Sequence, residues 1–347
     1  MSATRRPATG SVVALRFEDG RLWALDQTLL PWREHELELS RAGEVAAAIR
    51  RLAIRGAPLI GVAAGYGVAL ELAGQPNPAA ALERACGELR EARPTAVNLA
   101  WAVDRVRAAV LAAEPGGEAE AALAEARAIH AEETAASDVM AAHGADLLTG
   151  SRRLLTHCNA GALAAPGRGT ALAVVAELAA RGQLDGVLAC EARPLLQGAR
   201  LTVYELAQLG IAHELVVDAA APGLIAAGAV DAVIIGCDRV AANGDVANKV
   251  GSYPLALAAR EAGITFVVAG PTSTIDLACA SGAEIVIEER HPDEVRCAAG
   301  EPVTVSGTPC RNPAFDVTPA ALVSAIVTER GVARPVSSES IQALLAR

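Results

Sequence analysis

The sequence predicts an α/β protein: a Rossmann-like parallel-sheet domain preceded by a smaller, mostly helical domain with an N-terminal β-hairpin. Three observations carry this. After Gly150, short apolar runs recur at intervals of about 20–30 residues with helical stretches between them, the texture of strand–helix alternation. Before Gly150 the periodicity is helical. The apolar residues are mostly Ala, Val and Leu with only 3% aromatics, a mix suited to helices packed tightly on buried parallel strands.

In chain order, residues from about Ser11 to Leu30 alternate apolar and polar side chains around Glu18-Asp19-Gly20, a glycine-containing hairpin signal. Helices are expected at Glu44–Ala53, Pro58–Leu72, Pro78–Glu91, Asn98–Ala112 and Glu118–His143. Pro58 stands where a helix tolerates proline, in its first turn. Strands are expected at Leu154–His157, Gly186–Cys190, His213–Val217, Ala232–Ile235, Thr265–Ala269 and Glu284–Ile287, linked by right-handed crossovers. A helical domain over residues 1–148 and a catalytic domain over 151–347 follow.

Composition excludes several function classes. With a formal net charge of −10 and no long basic cluster, a phosphate-neutralising nucleic-acid face is not expected. Seven cysteines, an odd number without a C-x-x-C, predict neither a zinc site nor a disulfide framework. The first residues lack the apolar core of a signal peptide. The longest charge-free stretch, Ala57 to Leu70, is too short to span a bilayer. A soluble protein of the reducing cytoplasm, without membrane contact, is the expectation. No dinucleotide fingerprint, phosphate-binding P-loop or metal-ligand spacing is present, so no cofactor and no metal is expected, and His157 reads as a core residue.

Ligands of open α/β sheets bind beyond the carboxyl ends of the strands. The residues there are Cys158-Asn159-Ala160-Gly161, Glu191-Ala192-Arg193-Pro194, Asp218, Gly236-Cys237-Asp238-Arg239 and Gly270-Pro271-Thr272. Cys158 is either a small buried hydrophobe or a reactive thiol. The small residues after it would let backbone N–H groups approach a ligand. Asp238 emerges directly from a buried strand, where desolvation raises a carboxyl pKa and prepares it for proton transfer; helix capping or pairing with Arg239 is the plainer alternative. Lys249 is the only lysine in the chain. It follows a turn and precedes an expected helix from Val250, a phosphate cradle of N–H groups and helix dipole. Arg55-Gly56-Ala57-Pro58 and Arg93-Pro94-Thr95 repeat the pattern of a basic residue at a helix start.

The strings IRGAP (54–58), RPTAVNLAWA (93–102), THCNAGALA (156–164), RPLLQGARLT (193–202), CDRVAANGDVANKVGSY (237–253) and NPAFDVTP (312–319) resemble the methylthioribose-1-phosphate isomerases. Those enzymes share a fold family with the regulatory subunits of translation-initiation factor 2B. The resemblance runs in order from about Trp23 to Val332. It implies Cys158 and Asp238 as the catalytic pair, and Arg55, Gly56, Ala57, Arg93, Gln197, Asn248 and Lys249 as substrate-binding residues. It also implies a homodimer, no metal or nucleotide, a small sugar phosphate as substrate, and a place in methionine salvage. Ala192, Cys237 and Ala219 depart from the family pattern, in which threonine, a small residue and a more polar residue are usual.

The implied reaction converts 5-methylthioribose 1-phosphate to 5-methylthioribulose 1-phosphate. Asp238 would protonate the ring oxygen, and Cys158 would take the C2 proton or stabilise the charge developing there. An enediol route and a hydride shift both fit. The alternatives are isomerisation of 5-deoxyribose 1-phosphate or ribose 1,5-bisphosphate, and a non-catalytic regulatory subunit, which need not keep the pair. The segment Asn312–Val332 is expected to run from Phe315 into an apolar helix, with Phe315 either anchoring a dimer or closing its own subunit.

Overall fold

The computed structural model describes residues 12–298 and 300–346; Ser11, the expected start of the hairpin, lies outside them. Strands β1 (Leu15–Glu18) and β2 (Arg21–Leu25) pair antiparallel across Asp19 and Gly20. These two residues have φ of 51° and 70°, as the tight two-residue hairpin turn demands. A third strand, β3 (Glu36–Leu39), joins β2, so the hairpin is part of a three-stranded sheet.

Five helices follow: α1 (Ala42–Arg50), α2 (Ala57–Leu72), α3 (Pro78–Ala92), α4 (Val97–Leu111) and α5 (Glu118–Leu147). Their sequence-based bounds hold to within about a turn. Helix α2 is apolar all round and buried almost throughout, so it can only be central; α1, α3, α4 and α5 pack around it. Gly61 makes the α2–α4 contact possible, because a Cβ there would stand 2.7 Å from the Asn98 carbonyl oxygen.

The second half alternates as expected: β4 (Arg153–Thr156), α6 (Ala171–Ala180), β5 (Gly186–Cys190), α7 (Val203–Gln208), β6 (His213–Val216), α8 (Ala221–Ala226) and β7 (Ala232–Ile235). Then come β8 (Arg239–Ala241), β9 (Val246–Lys249), α9 (Ser252–Ala262), β10 (Thr265–Ala269) and β11 (Ile275–Asp276). The chain continues through α10 (Asp293–Arg296), β12 (Cys297–Ala298), β13 (Glu301–Pro302), β14 (Phe315–Thr318), β15 (Ala325–Thr328), β16 (Gly331–Ala333) and α11 (Ser338–Leu345).

The main sheet has seven strands in the order β16-β15-β10-β7-β4-β5-β6, parallel except for β16. The first strand, β4, lies in the middle. The chain runs outward through β5 and β6, returns to β7 on the other side of β4, and runs outward again through β10 and β15. The gap beyond β4 and β7 is thus the topological switch point, where such sheets bind ligands. A second sheet, β11-β8-β9-β14, stands beside it.

Two expectations fail. Glu284–Ile287 is not a strand: Gly282–Glu284 makes a 3-10 turn, and Ile285 tucks against Ala241, Ala247 and Cys279. The last parallel place goes to β15, whose four residues are all buried. Carboxylates bracket the 284–287 run, whereas a strand covered on both faces needs an uncharged run such as Ala-Ile-Val-Thr. The apolar helix expected after Pro319 is also absent. A single 3-10 turn at Ala320–Leu322 leads straight into β15, where β-branched Val and Ile favour the pleated surface.

Candidate active site

Cys158 and Asp238 leave adjacent parallel strands by the same edge, since β4 pairs β7 with Leu154 opposite Ala232 and Leu155 opposite Val233. Cys158 follows β4 in a left-handed backbone conformation, φ 63°, and is 9% exposed. Its carbonyl accepts from the Thr202 hydroxyl at 2.5 Å. Asp238 ties back to the second sheet through its N–H, which donates to Ala247 O at 3.0 Å.

The turn after Cys158 serves a different end from the expected one. The Asn159 amide donates to the buried Glu205 carboxylate at 2.7 Å, and Leu163 N–H donates to the same oxygen at 3.4 Å. A Cβ at Gly161 would stand 2.3 Å from that carboxylate. Of the small residues, Gly161 makes room for Glu205, while Ala160 lines a recess beside Cys158 and Asp238. Arg55 then grips Asn159, donating to its side-chain oxygen and, at 3.0 Å, to its backbone oxygen.

Gly56 opens α2 with φ 97°, and a Cβ there would meet Ala164 Cα and O at 2.4 Å. Only glycine lets Arg55, Gly56 and Ala57 lie against the loop that follows Cys158.

Lys249 ends β9 and is buried. Its ammonium donates to Ala314 O at 2.7 Å and stands 4.8 Å above the Phe315 ring. Asn248 donates to the Ser252 hydroxyl at 2.9 Å. The expected helix start at Val250 is corrected here. Lys249 belongs to a strand, and α9 begins at Ser252 with its N-terminus already filled: Asp316 accepts from Gly251 N at 2.7 Å and Tyr253 N at 3.1 Å. That dipole is spent on a carboxylate, so Lys249 acts through its side chain. Arg93 likewise does not open a helix. It closes α3, and α4 starts at Val97; its guanidinium pairs with Glu288 at 2.8 Å. Of the three basic helix starts expected, Arg55-Gly56-Ala57 alone is one.

Arg55, Gly56, Arg93, Cys158, Gln197, Asp238 and Lys249 line one cavity of about 400 Å³. Ala57 and Asn248 line an adjoining recess shared with Cys158 and Asp238. The structure therefore brings together all nine residues singled out. Gln197 is buried, and its side-chain oxygen has no hydrogen-bond partner.

Other residues of the cavity wall were not legible in advance. Arg50, Arg51, Arg200 and Arg290 bring its basic side chains to seven, against two carboxylates, Asp238 and Glu294, among the described residues. Arg290 pairs with Glu288 and Glu294, and Arg200 donates to the carbonyl oxygens of Gln27 and Leu30. Arg200 stands inside the string RPLLQGARLT without being singled out, Arg50 and Arg51 close α1, and Arg290 comes from a loop, so only tertiary packing brings the four together. In a chain of formal net charge −10, this concentration selects an anion. Arg55 and Lys249 hydrogen-bond only neutral oxygens, which leaves their charges for a ligand.

Burial pushes the Asp238 carboxyl up from its ordinary value, against the downward pull of Lys249, Arg93 and Arg55. Burial raises the Cys158 thiol too, opposed by Arg55 and Lys249. It lowers Lys249, which Cys158 and Asp238 pull back up. Such an array can deliver a proton from a carboxylic acid and bind a phosphate beside a thiol.

Residues 53–335 match the initiation factor 2 subunit family. The chain belongs to that family. Among its relatives, a methylthioribose-1-phosphate isomerase of Anaeromyxobacter sp. strain K is 54% identical over 89% of this chain and 90% of its own length. A 5-deoxyribose 1-phosphate isomerase of Moorella thermoacetica is 47% identical over 96% of this chain and 98% of its own. The crystal structure of 5-methylthioribose 1-phosphate isomerase from Pyrococcus horikoshii OT3 superposes with a TM-score of 0.90 at 38% identity, covering 97% of both chains. Among the described residues of this family member, no helix is long and apolar enough to cross a membrane.

Proposed function

We propose that the chain isomerises 5-methylthioribose 1-phosphate to 5-methylthioribulose 1-phosphate, in the cytoplasm and as a homodimer. The observation that carries this reading is the cavity itself, where seven basic side chains surround a buried thiol and a carboxyl whose pKa burial raises. The names of the relatives support it.

A sugar phosphorylated on its anomeric oxygen cannot open to a free aldehyde unaided. Arg55 and Lys249 hold the phosphate, with Arg93, Gln197, Asn248 and the Gly56–Ala57 turn completing its surroundings. Asp238 donates its proton to the ring oxygen, and the ring opens. Hydrogen then moves from C2 to C1, with Cys158 carrying the C2 proton across or stabilising the charge that develops there, and the C2 hydroxyl returns its proton to Asp238 as the carbonyl forms. The arriving phosphate raises Asp238 further, since a nearby anion disfavours its ionised form. Substrate binding thus keeps the acid loaded.

Two domains, residues 1–148 and 151–347, fit the apolar cluster around α2 and the clusters on the two faces of the main sheet, with the end of α5 joining one of the latter through Ala136, Met140 and Ala145. For the dimer, Leu215 and Val217 lie exposed on and beside the edge strand β6, at 53% and 59%. An uncovered apolar edge invites pairing.

The test is turnover by purified protein of 5-methylthioribose 1-phosphate against 5-deoxyribose 1-phosphate and ribose 1,5-bisphosphate. Preference for the first is expected; preference for the second would give the chain the activity named for its Moorella relative. Cys158→Ser and Asp238→Asn should each lose roughly 10²–10⁴-fold or more in kcat with the fold intact. No turnover of any of the three would point to a non-catalytic subunit.

A further inference from the structure

The carboxyl ends of β4, β5 and β6 bring His157, Cys190 and Asp218 together, with a ring nitrogen, the thiol sulfur and a carboxylate oxygen within 4.8 Å of one another. The proposed isomerisation uses none of the three. His157 Nε2 stands 2.9 Å from the Val250 carbonyl oxygen, which can only accept, so Nε2 carries the hydrogen. Burial favours the neutral ring. Nδ1 is then a bare lone pair, and it has no hydrogen-bond partner although the residue is 1% exposed.

What Nδ1 faces is another acceptor. Asp218 Oδ1 lies 3.8 Å away, and the carboxylate is fixed by the N–H groups of Ala192 at 2.9 Å and Arg193 at 2.7 Å. Two acceptors and a thiol converging in a buried space lack a positive centre between them. We infer that His157 Nδ1, Cys190 Sγ and Asp218 form a binding site for a borderline d-block divalent cation such as zinc or cobalt(II).

Nitrogen, thiolate and carboxylate together match that class of ion, not the oxygen-seeking calcium or magnesium. With metal–ligand bonds of about 2.0–2.3 Å, neighbouring donors in a tetrahedral site stand roughly 3.3–3.8 Å apart. His157 Nδ1 and Asp218 Oδ1, 3.8 Å apart, are a few tenths of an ångström wider than a nitrogen–oxygen pair needs and close by a small side-chain rotation. The thiol closes the third position by a side-chain rotation and loses its proton to solvent on binding. The half-buried Asp218 leaves the fourth position open to a solvent oxygen. His157 Nε2–H, held by a backbone carbonyl, supplies the outer support that orients ligating histidines.

Titration of the full-length protein with cobalt(II) chloride, under a thiol-free reductant, tests this independently of any isomerase activity. One equivalent should bind with a thiolate-to-cobalt charge-transfer absorption. Cys190→Ala should abolish that band and Cys158→Ala should retain it, while His157→Gln should weaken binding at least about tenfold. Cys190→Ser, closer in shape and equally without a thiolate, gives the same reading if the alanine variant misfolds. Absence of binding, a band that survives the loss of Cys190, or a band that vanishes with Cys158 instead would each overturn the assignment.

Discussion

Lys249 and Phe315 face each other across the β9–β14 pairing, the ammonium 4.8 Å from the ring centroid. The ring and the Ala314 carbonyl hold a compact cation at one height above the cavity floor. A guanidinium is planar and longer, and could not keep the 2.7 Å bond to Ala314 O. Lys249→Arg should therefore raise KM much as Lys249→Ala does, by roughly ten- to a hundredfold for a charge-assisted bond of about 1.5–3 kcal/mol. Arg93→Ala should also raise KM, but less, because Glu288 already balances that charge. Unchanged kinetics in Lys249→Ala would place the phosphate elsewhere.

Gly56→Ala should damage fold and site together. The left-handed backbone costs about 1–3 kcal/mol for a residue with a side chain. The contact at 2.4 Å is with Ala164 backbone, which cannot swing away as a side chain would. At roughly 1.4 °C per kcal/mol for a chain this size, calorimetry should show a drop in Tm of a few degrees. A variant with wild-type melting and turnover would show that the Arg55–Ala57 turn needs no glycine.

Stability should fall between pH 5 and pH 8. Burial pushes Glu133 up to about 7 and Glu205 up to about 7, from an ordinary 4.5. The fold thus favours their protonated forms. That stability is present below pH 4.5 and is lost as pH rises toward 7, by about 3 kcal/mol per group. Asp26 and Asp245, held below their ordinary values, matter only at more acid pH. Glu133→Gln keeps an acceptor for the Ser273 hydroxyl, which donates to Glu133 at 2.6 Å, and should flatten the profile. Chemical denaturation at both pH values measures it; an unaltered slope in the variant would remove Glu133 as a cause.

Sedimentation at micromolar concentration should give twice the 35.3 kDa chain mass. Phe315 lines its own subunit's cavity, which supports the reading in which it closes its own subunit rather than anchoring a dimer. Phe315→Ala should leave the dimer intact, and paired Leu215→Glu and Val217→Glu substitutions on the β6 edge should dissociate it. A fully active monomer would defeat the dimer reading; a dimer indifferent to the edge substitutions would defeat this choice of surface.

What could be read from residues alone follows a physical divide. Leu154–Thr156 and Ala232–Ile235 announce themselves because a strand covered on both faces must be apolar, and the residues just beyond it then name the rim. Cys158 and Asp238 were legible for that reason. Lys249 was singled out correctly with the wrong local structure. Val-Ala-Asn-Lys forms a strand between β8, across the turn at Asn243 and Gly244, and β14, about 70 residues later; the turn was read as leading into a helix, and no local pattern reports the distant partner. Arg290 was invisible on the same ground, since its place in the cavity is set by tertiary packing; Arg200 stood inside the quoted string RPLLQGARLT without being singled out. Asp316 shows the converse, where a local dipole looked free and a remote carboxylate had already filled it.

The crowd of cations in the cavity has a consequence for the life of the empty protein. Like charges held together in a half-enclosed space repel, so the ligand-free native state carries a strain that any fitting anion relieves. Occupancy and folding become linked: at a ligand concentration a hundred times Kd the native state gains about 2.7 kcal/mol. Inorganic phosphate alone should raise the melting temperature in proportion to its affinity. Where the sugar phosphate is scarce, the pool of chains opens more often and meets proteases more often, so supply of the substrate helps to set how much of the protein persists.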